Sequence, residues 1–320
     1  MGQPGAKPMN HTTDYLLHLE DVYVRYFNQK GEPFTVLNDI DLKVRSGEFI
    51  TIIGPSGCGK STLLRLILGS QKPTSGTLLY EGKHIDCPDR HRGIVFQKYS
   101  LFPHLTVLEN LVFGLDMEAF SIPGRVLLPF KYRAKRKEFR EKAREFLHRV
   151  GLEKEGDKYP QQLSGGMSQR VAIVQSLIMQ PRILLMDEPF GALDDSTRQD
   201  MQLFILEQWE KHKMTVFFVT HDLEEAVFLA SRTLVLSQYY ETDMEKNEGA
   251  KIVTDIHIPS GYPRQSDFKY TETMSQLIKK LRTDGLDPEH RRHISQFDLS
   301  HDDSFRTVNE NEWKDRDGKQ

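Results

Sequence analysis

Residues 54–62, GPSGCGKST, constrain this chain more than any other stretch of it. They satisfy the spacing G-x-x-x-x-G-K-S/T in the one context that gives the pattern chemical meaning. Upstream, residues 48–54 (EFITIIG) form a continuous β-branched run. Downstream, residues 60–69 (KSTLLRLILG) carry leucines at the spacing of a buried helix. A strand, a glycine loop and a helix in that order let successive backbone N–H groups converge on one phosphate, and the helix N-terminus adds the positive end of its dipole. Gly54, Pro55, Ser56, Gly57, Cys58 and Gly59 form the loop, and Thr62 continues the helix. Lys60 is expected to bridge the β- and γ-phosphoryl groups of a nucleotide, and Ser61 to ligate Mg2+.

The loop is embedded in an alternation of strands and helices. Residues 182–187 (RILLMD) and 215–220 (TVFFVT) are short apolar runs after helix-like stretches, and a third run begins at Leu234 after a helical stretch over 222–230. Runs of this kind, apolar on both faces, imply an α/β core with a mostly parallel sheet. Residues 15–26 and 37–44 alternate more loosely, as an antiparallel β layer with one wet face would. Between 106 and 180 the strand signal disappears. There Phe139, Ala143, Phe146, Leu147 and Val150 recur at helical spacing, so a helical subdomain is expected over about 100–180. The fold class expected is therefore α/β, a P-loop NTPase core with an N-terminal antiparallel β layer and a helical insert.

Residues 1–14 read as a polar, disordered leader, 15–240 as the catalytic unit, and 241–320 as an extension that turns polar beyond about 283 and is expected to be partly disordered. Trp313 is almost the only large anchor in that last stretch. With 43 Lys+Arg against 46 Asp+Glu the net charge is −3, which argues against a polybasic nucleic-acid binder. Apolar runs such as 49–53 and 216–219 fall far short of the roughly 18 residues of a membrane-spanning helix. Two cysteines offer neither a disulfide framework nor zinc spacing. One local charge excess stands out: residues 118–144 hold nine Lys/Arg against three acids and include the apolar, proline-bearing piece IPGRVLLPF at 122–130. It suits first a solvated helix face with a loop packed on its own domain, and second a contact with a membrane surface or a partner protein.

Two further groups carry chemistry. Residues 183–189 (ILLMDEP) place two carboxylates at a strand end: Asp187 on the metal side, and Glu188 as the general base, since adjacent strand side chains diverge and only one faces the attacking water. Residues 163–167 (LSGGM) precede a helix expected to start near Ser168. Ser164, Gly165 and Gly166 make a second anion receptor there, about a hundred residues from the first.

Residues 54–62, Gln97 after GIVF, LSGG at 163–166, ILLMDEP, ALD at 192–194 and His221 in VTHD resemble, in order and spacing, the ATP-binding cassette ATPases. The likeness covers roughly residues 15–240 and extends to the ATPase subunits of nitrate, sulfonate and taurine importers through LSGGM followed by SQR, PTSG at 73–76 and DEPFGALD at 187–194, which implies a small anion or a small nitrogen compound as cargo. It implies a head-to-tail homodimer in which LSGG of one copy closes on the γ-phosphate held by the other, which accounts for the second receptor. It also implies that Tyr26, or the neighbouring Phe27, stacks on adenine, and that Gln97 touches Mg2+ and the attacking water. Asp194 would cross the dimer interface, and His221 would contact the γ-phosphate and position Glu188. Transmembrane permease subunits, a periplasmic solute-binding protein and a station on the cytoplasmic face of a bacterial inner membrane follow from the same likeness, with no nucleic-acid partner. The alternative is a soluble cassette ATPase acting on nucleic acid or ribosomes. Such relatives resemble two cassettes in one chain or a cassette split by a coiled coil, and neither pattern occurs in this sequence. One departure from the family pattern is Met167 where glutamine commonly closes the signature. A second is an insert around 117–133 that is longer than usual.

Overall fold

The computed structural model describes residues 15–98, 100–120, 129–242, 249–258, 266–289 and 291–304. The leader 1–14, most of the apolar piece 122–130 and Trp313 lie outside them. The strands are β1 (Leu17–Phe27), β2 (Pro33–Val44), β3 (Phe49–Ile53), β4 (Ser75–Tyr80), β5 (Lys83–His84), β6 (Arg92–Val95), β7 (Ile183–Asp187), β8 (Thr215–Val219), β9 (Arg232–Ser237), β10 (Tyr240–Glu241), β11 (Lys251–His257) and β12 (Arg292–His293). The helices are α1 (Lys60–Leu68), α2 (Val107–Ala119), α3 (Pro129–Arg149), α4 (Gly165–Leu177), α5 (Asp195–His212), α6 (Leu223–Leu229) and α7 (Glu272–Thr283).

Every residue of β3 and β8 is buried, as the continuous apolar runs demand of central strands. Both lie inside a six-stranded sheet of order β11-β9-β3-β8-β7-β6, parallel throughout except for β11. Side chains alternate between two cores. Phe49, Leu184, Met186, Val216 and Phe218 face the helical side. Ile50, Ile183, Leu185, Phe217 and Val219 face the other side, together with α1 and the antiparallel sheet β2-β1-β4-β5. α1 is thus held between two sheets, and its Gly69 C-cap in left-handed conformation (φ 84°) ends it where the sequence signal stops. α2 opens with a capping box, Thr106 and Glu109 bonding each other's backbone N–H, which contributes on the order of 1 kcal/mol.

One expectation is corrected. α4 begins at Gly165, three residues before Ser168, because the Ser164 hydroxyl caps it by accepting from Met167 N at 3.2 Å. The central sheet runs past residue 240, since β11 pairs antiparallel along the whole of β9. Residues 291–304 pack against the fold: Ile294 and Phe297 are buried, and Asp303 accepts from Arg45 at 2.7 and 2.8 Å and from Tyr15 at 3.0 Å. Part of the polarity there serves as ion-pair anchorage to the first sheet.

The same seam contains Arg232, which is 1% exposed. It donates to both Asp255 oxygens at 2.8 and 2.7 Å, to Glu48 at 3.0 Å and to the Lys43 carbonyl at 2.7 Å. Removing one partner of such a buried network strands the others' charge. Arg232→Ala is expected to destabilise the fold by about 3–5 kcal/mol, read as a lower urea midpoint; an unchanged midpoint would remove the network's structural role.

Candidate active site

β6, β7, β8 and β3 lie side by side and run the same way, so the segments after their C-terminal ends meet along one edge. That edge is where open α/β sheets collect ligands. In this chain it carries Gln97, Asp187 with Glu188, His221 and residues 54–62.

The glycine loop is shaped by close approach. A Cβ at Gly54 would stand 2.0 Å from the Leu236 carbonyl oxygen, so the β9 backbone admits only glycine there. Gly59 caps α1 at φ 104°, and a Cβ on it would meet Leu37 at 2.8 Å. Gly57 lies at the open side, with nothing within 4 Å of a notional Cβ, and Ser56 beside it is exposed. Lys60 is buried and donates to the carbonyls of Gly54 and Pro55 at 2.8 and 2.9 Å, which holds its ammonium inside the loop. Cys58 is buried below the loop, and burial pushes its thiol pKa up, so it serves packing and not chemistry. Ser61 is half-buried in the first turn of α1, ahead of the buried Thr62. A cradle with one open glycine, an inward ammonium and a helix N-terminus fits a polyphosphate. Ser61 and the half-buried Asp187 offer the hydroxyl and carboxylate oxygens that Mg2+ takes.

Glu188 is the centre of the second cluster. Its Oε2 accepts from Gln97 Nε2 at 3.0 Å, and its Oε1 lies 3.5 Å from His221 Nδ1. The side chain is 25% exposed, whereas His221 is 74% exposed, so the carboxylate is sheltered and the imidazole faces out. The Glu188 backbone is left-handed at φ 48° while its N–H donates to Val219 O at 3.0 Å. This conformation is uncommon for a residue with a Cβ, and it turns Glu188 away from the direction strand alternation would give. No sequence signal announces it.

The remaining residues form a separate group. Gly166 lies against Ala192 and Leu193, where a Cβ would come within 3.1 Å of the Ala192 carbonyl oxygen. The SGG turn and the ALD segment are therefore one surface, a contact that sequence spacing did not disclose. Asp194 caps α5, accepting from Thr197 N at 3.0 Å and Thr197 Oγ1 at 2.8 Å, and these bonds hold its carboxyl below the usual range. Ser164 and Gly165 are exposed. Among the described residues, no hydrogen bond or ion pair links Ser164–Gly166 or Asp194 to residues 54–62. Met167 lies inward, its partly buried side chain packed against the helical core, so apolar packing accounts for methionine at that position. Tyr26 is tied into the β layer, its hydroxyl donating to Gln71 at 2.9 Å and its ring 5.9 Å from Phe34, while Phe27 is 73% exposed. Of the two rings, Phe27 has the free face.

The chain is similar to several known proteins. Residues 37–191 match the family model described as ABC transporter. An uncharacterized ABC transporter ATP-binding protein of Methanocaldococcus jannaschii is 47% identical over 213 residues, 67% of this chain and 74% of the relative. A nitrate import ATP-binding protein of Synechocystis sp. is 39% identical over 274 residues, 84% of this chain and 97% of the relative. An aliphatic sulfonates import ATP-binding protein of Bacillus cereus is 37% identical over 257 residues, 80% of this chain and 91% of the relative. Among solved structures, a dimeric post-hydrolysis ATP-binding cassette bound to ADP and Pi aligns with TM-score 0.63 at 30% identity, covering 77% of this chain and all of that one.

Proposed function

The chain belongs to the ABC transporter family as an ATP-binding, ATP-hydrolysing protein, and from that premise we propose that it is the motor subunit of an importer for a small anion. The observation that carries the hydrolytic assignment is the Gln97–Glu188–His221 cluster at the strand ends beside the glycine loop.

In this reading Lys60 and the backbone N–H groups of residues 54–62 hold the β- and γ-phosphoryl oxygens, and the adenine lies at the end of β1, where Phe27 offers the free ring and Tyr26 supports it. Mg2+, held by Ser61, Asp187 and Gln97, would neutralise charge developing on the phosphoryl oxygens. Glu188 accepts a proton from water as that water attacks the γ-phosphorus. The bond to the β-bridging oxygen breaks, giving ADP and phosphate. Gln97 fixes one carboxylate oxygen, and His221 sits by the other with its outer face toward the γ-phosphate. Ser164, Gly165, Gly166 and Asp194 face outward from one copy and complete the site of a second, so two ATP molecules are enclosed in one isologous dimer.

Among the described residues no helix is long and apolar enough to cross a membrane; the permease subunits of this reading are separate chains. The cargo class rests on the names of relatives: nitrate, bicarbonate, sulfate/thiosulfate and aliphatic sulfonates are all small anions. A solute-binding protein would deliver such an anion from outside. The test is the ATPase rate of purified chain against its concentration. The rate per molecule should fall on dilution as dimers dissociate, and a rate indifferent to dilution in a freely dissociating preparation would refute the composite site.

A further inference from the structure

We propose that the outer face of α3 is a docking surface for anionic phospholipid headgroups, holding the subunit against the bilayer independently of its permease. From Lys131 to Arg144 this helix carries eight Lys/Arg and two acids. Tyr132, Arg133, Arg136, Lys137, Arg140 and Arg144 line a groove of about 550 Å³, because positions three and four apart share a helix face. α2 supplies the facing acids. Asp116 lies 3.3 Å from Arg136, and Glu109 is held below the usual carboxylate range chiefly by the Thr106 N–H, with Arg136 and Arg140 adding to the effect. Lys137 lies 3.9 Å from Glu141. Among the described residues no carboxylate pairs with Arg133, Arg140 or Arg144, so the groove keeps a local positive excess on a chain of net charge −3.

The apolar element beside it selects the occupant. Phe130, at the start of the same helix, is 84% exposed. A bare ring next to a row of long cationic side chains is the composition of a helix lying on a lipid interface, where the ring enters the headgroup region and the cations meet phosphodiesters. Charge alone would suit any polyanion, and the ring is the feature that a soluble phosphate cannot use. The proposal rests on the transporter reading only for the presence of a bilayer near the subunit.

The test is co-sedimentation of the full chain with vesicles of phosphatidylcholine, alone or mixed with phosphatidylglycerol, without permease or nucleotide. Binding is expected only to the anionic vesicles and should weaken with salt. Arg133→Gln with Arg144→Gln should lower it about thirtyfold, from about 1 kcal/mol per cation, and Phe130→Ala should lower it further while ATPase rate and circular dichroism stay unchanged. Three results would overturn the proposal: failure of the parent chain to sediment with anionic vesicles, equal sedimentation of parent and double variant, or indifference to Phe130→Ala. The last would indicate a binder of soluble polyanions or of an acidic protein segment. Because the assay involves no turnover, it can fail while the dilution test succeeds, and the reverse.

Discussion

Glu188→Gln is expected to bind ATP with near-parent affinity, to lose turnover by about 10²–10⁴-fold, and to accumulate as an ATP-bound dimer. The side chain keeps its shape and can still accept from Gln97, whose amide lies 3.0 Å from Oε2. What disappears is the capacity to take a proton from water as it attacks. Binding is expected to survive because the phosphate contacts proposed for residues 54–62 lie after β3, separated from β7 by β8, and dimers should persist because the step that would reopen them is blocked. Size exclusion with ATP and single-turnover kinetics are the measurements. A variant that remains monomeric with normal turnover would remove Glu188 from the role of base.

Ser164→Arg is expected to abolish hydrolysis while the isolated monomer keeps its nucleotide affinity. Ser164 is exposed and the one described bond of its hydroxyl caps α4, so losing it costs about 1 kcal/mol of local stability and leaves the glycine loop untouched. The large cation would stand where the second copy's γ-phosphate must approach. Mixing this variant with Lys60→Ala should restore activity, since the mixed dimer pairs one intact loop with one intact serine. Absence of recovery on mixing, or loss of monomer affinity in Ser164→Arg alone, would show that the signature turn acts within its own chain.

Much of the architecture was legible because apolar periodicity and glycine placement are local signals. β3, α1, β7 and β8 fall within a residue or two of the runs that announced them, and the glycine loop sits where its flanking strand and helix require. How the C-terminal region packs was not legible, for an equally physical reason. Composition registers polarity but not partners, and Arg45, Arg232 and Lys251 turn Asp303, Asp255 and Asp39 into anchors across long stretches of sequence. The start of α4 was placed late because a serine in a Ser-Gly-Gly turn reads as loop until its hydroxyl is seen bonded to Met167 N.

By itself the amino-acid order set out the pieces: a glycine loop between strand and helix, two carboxylates at a strand end and a Ser-Gly-Gly turn at a helix start, each defined by spacing over a handful of residues. Tertiary structure alone decided how those pieces act. Parallel pairing of β6, β7, β8 and β3 gathers Gln97, Glu188 and His221 from segments up to 124 positions apart, and a left-handed turn aims the carboxylate. The packing of Gly166 on Ala192 likewise joins two distant segments into one outward surface. Such juxtapositions depend on sheet order and backbone dihedrals, which pairwise hydrogen bonding over the whole fold sets and no local run of residues encodes.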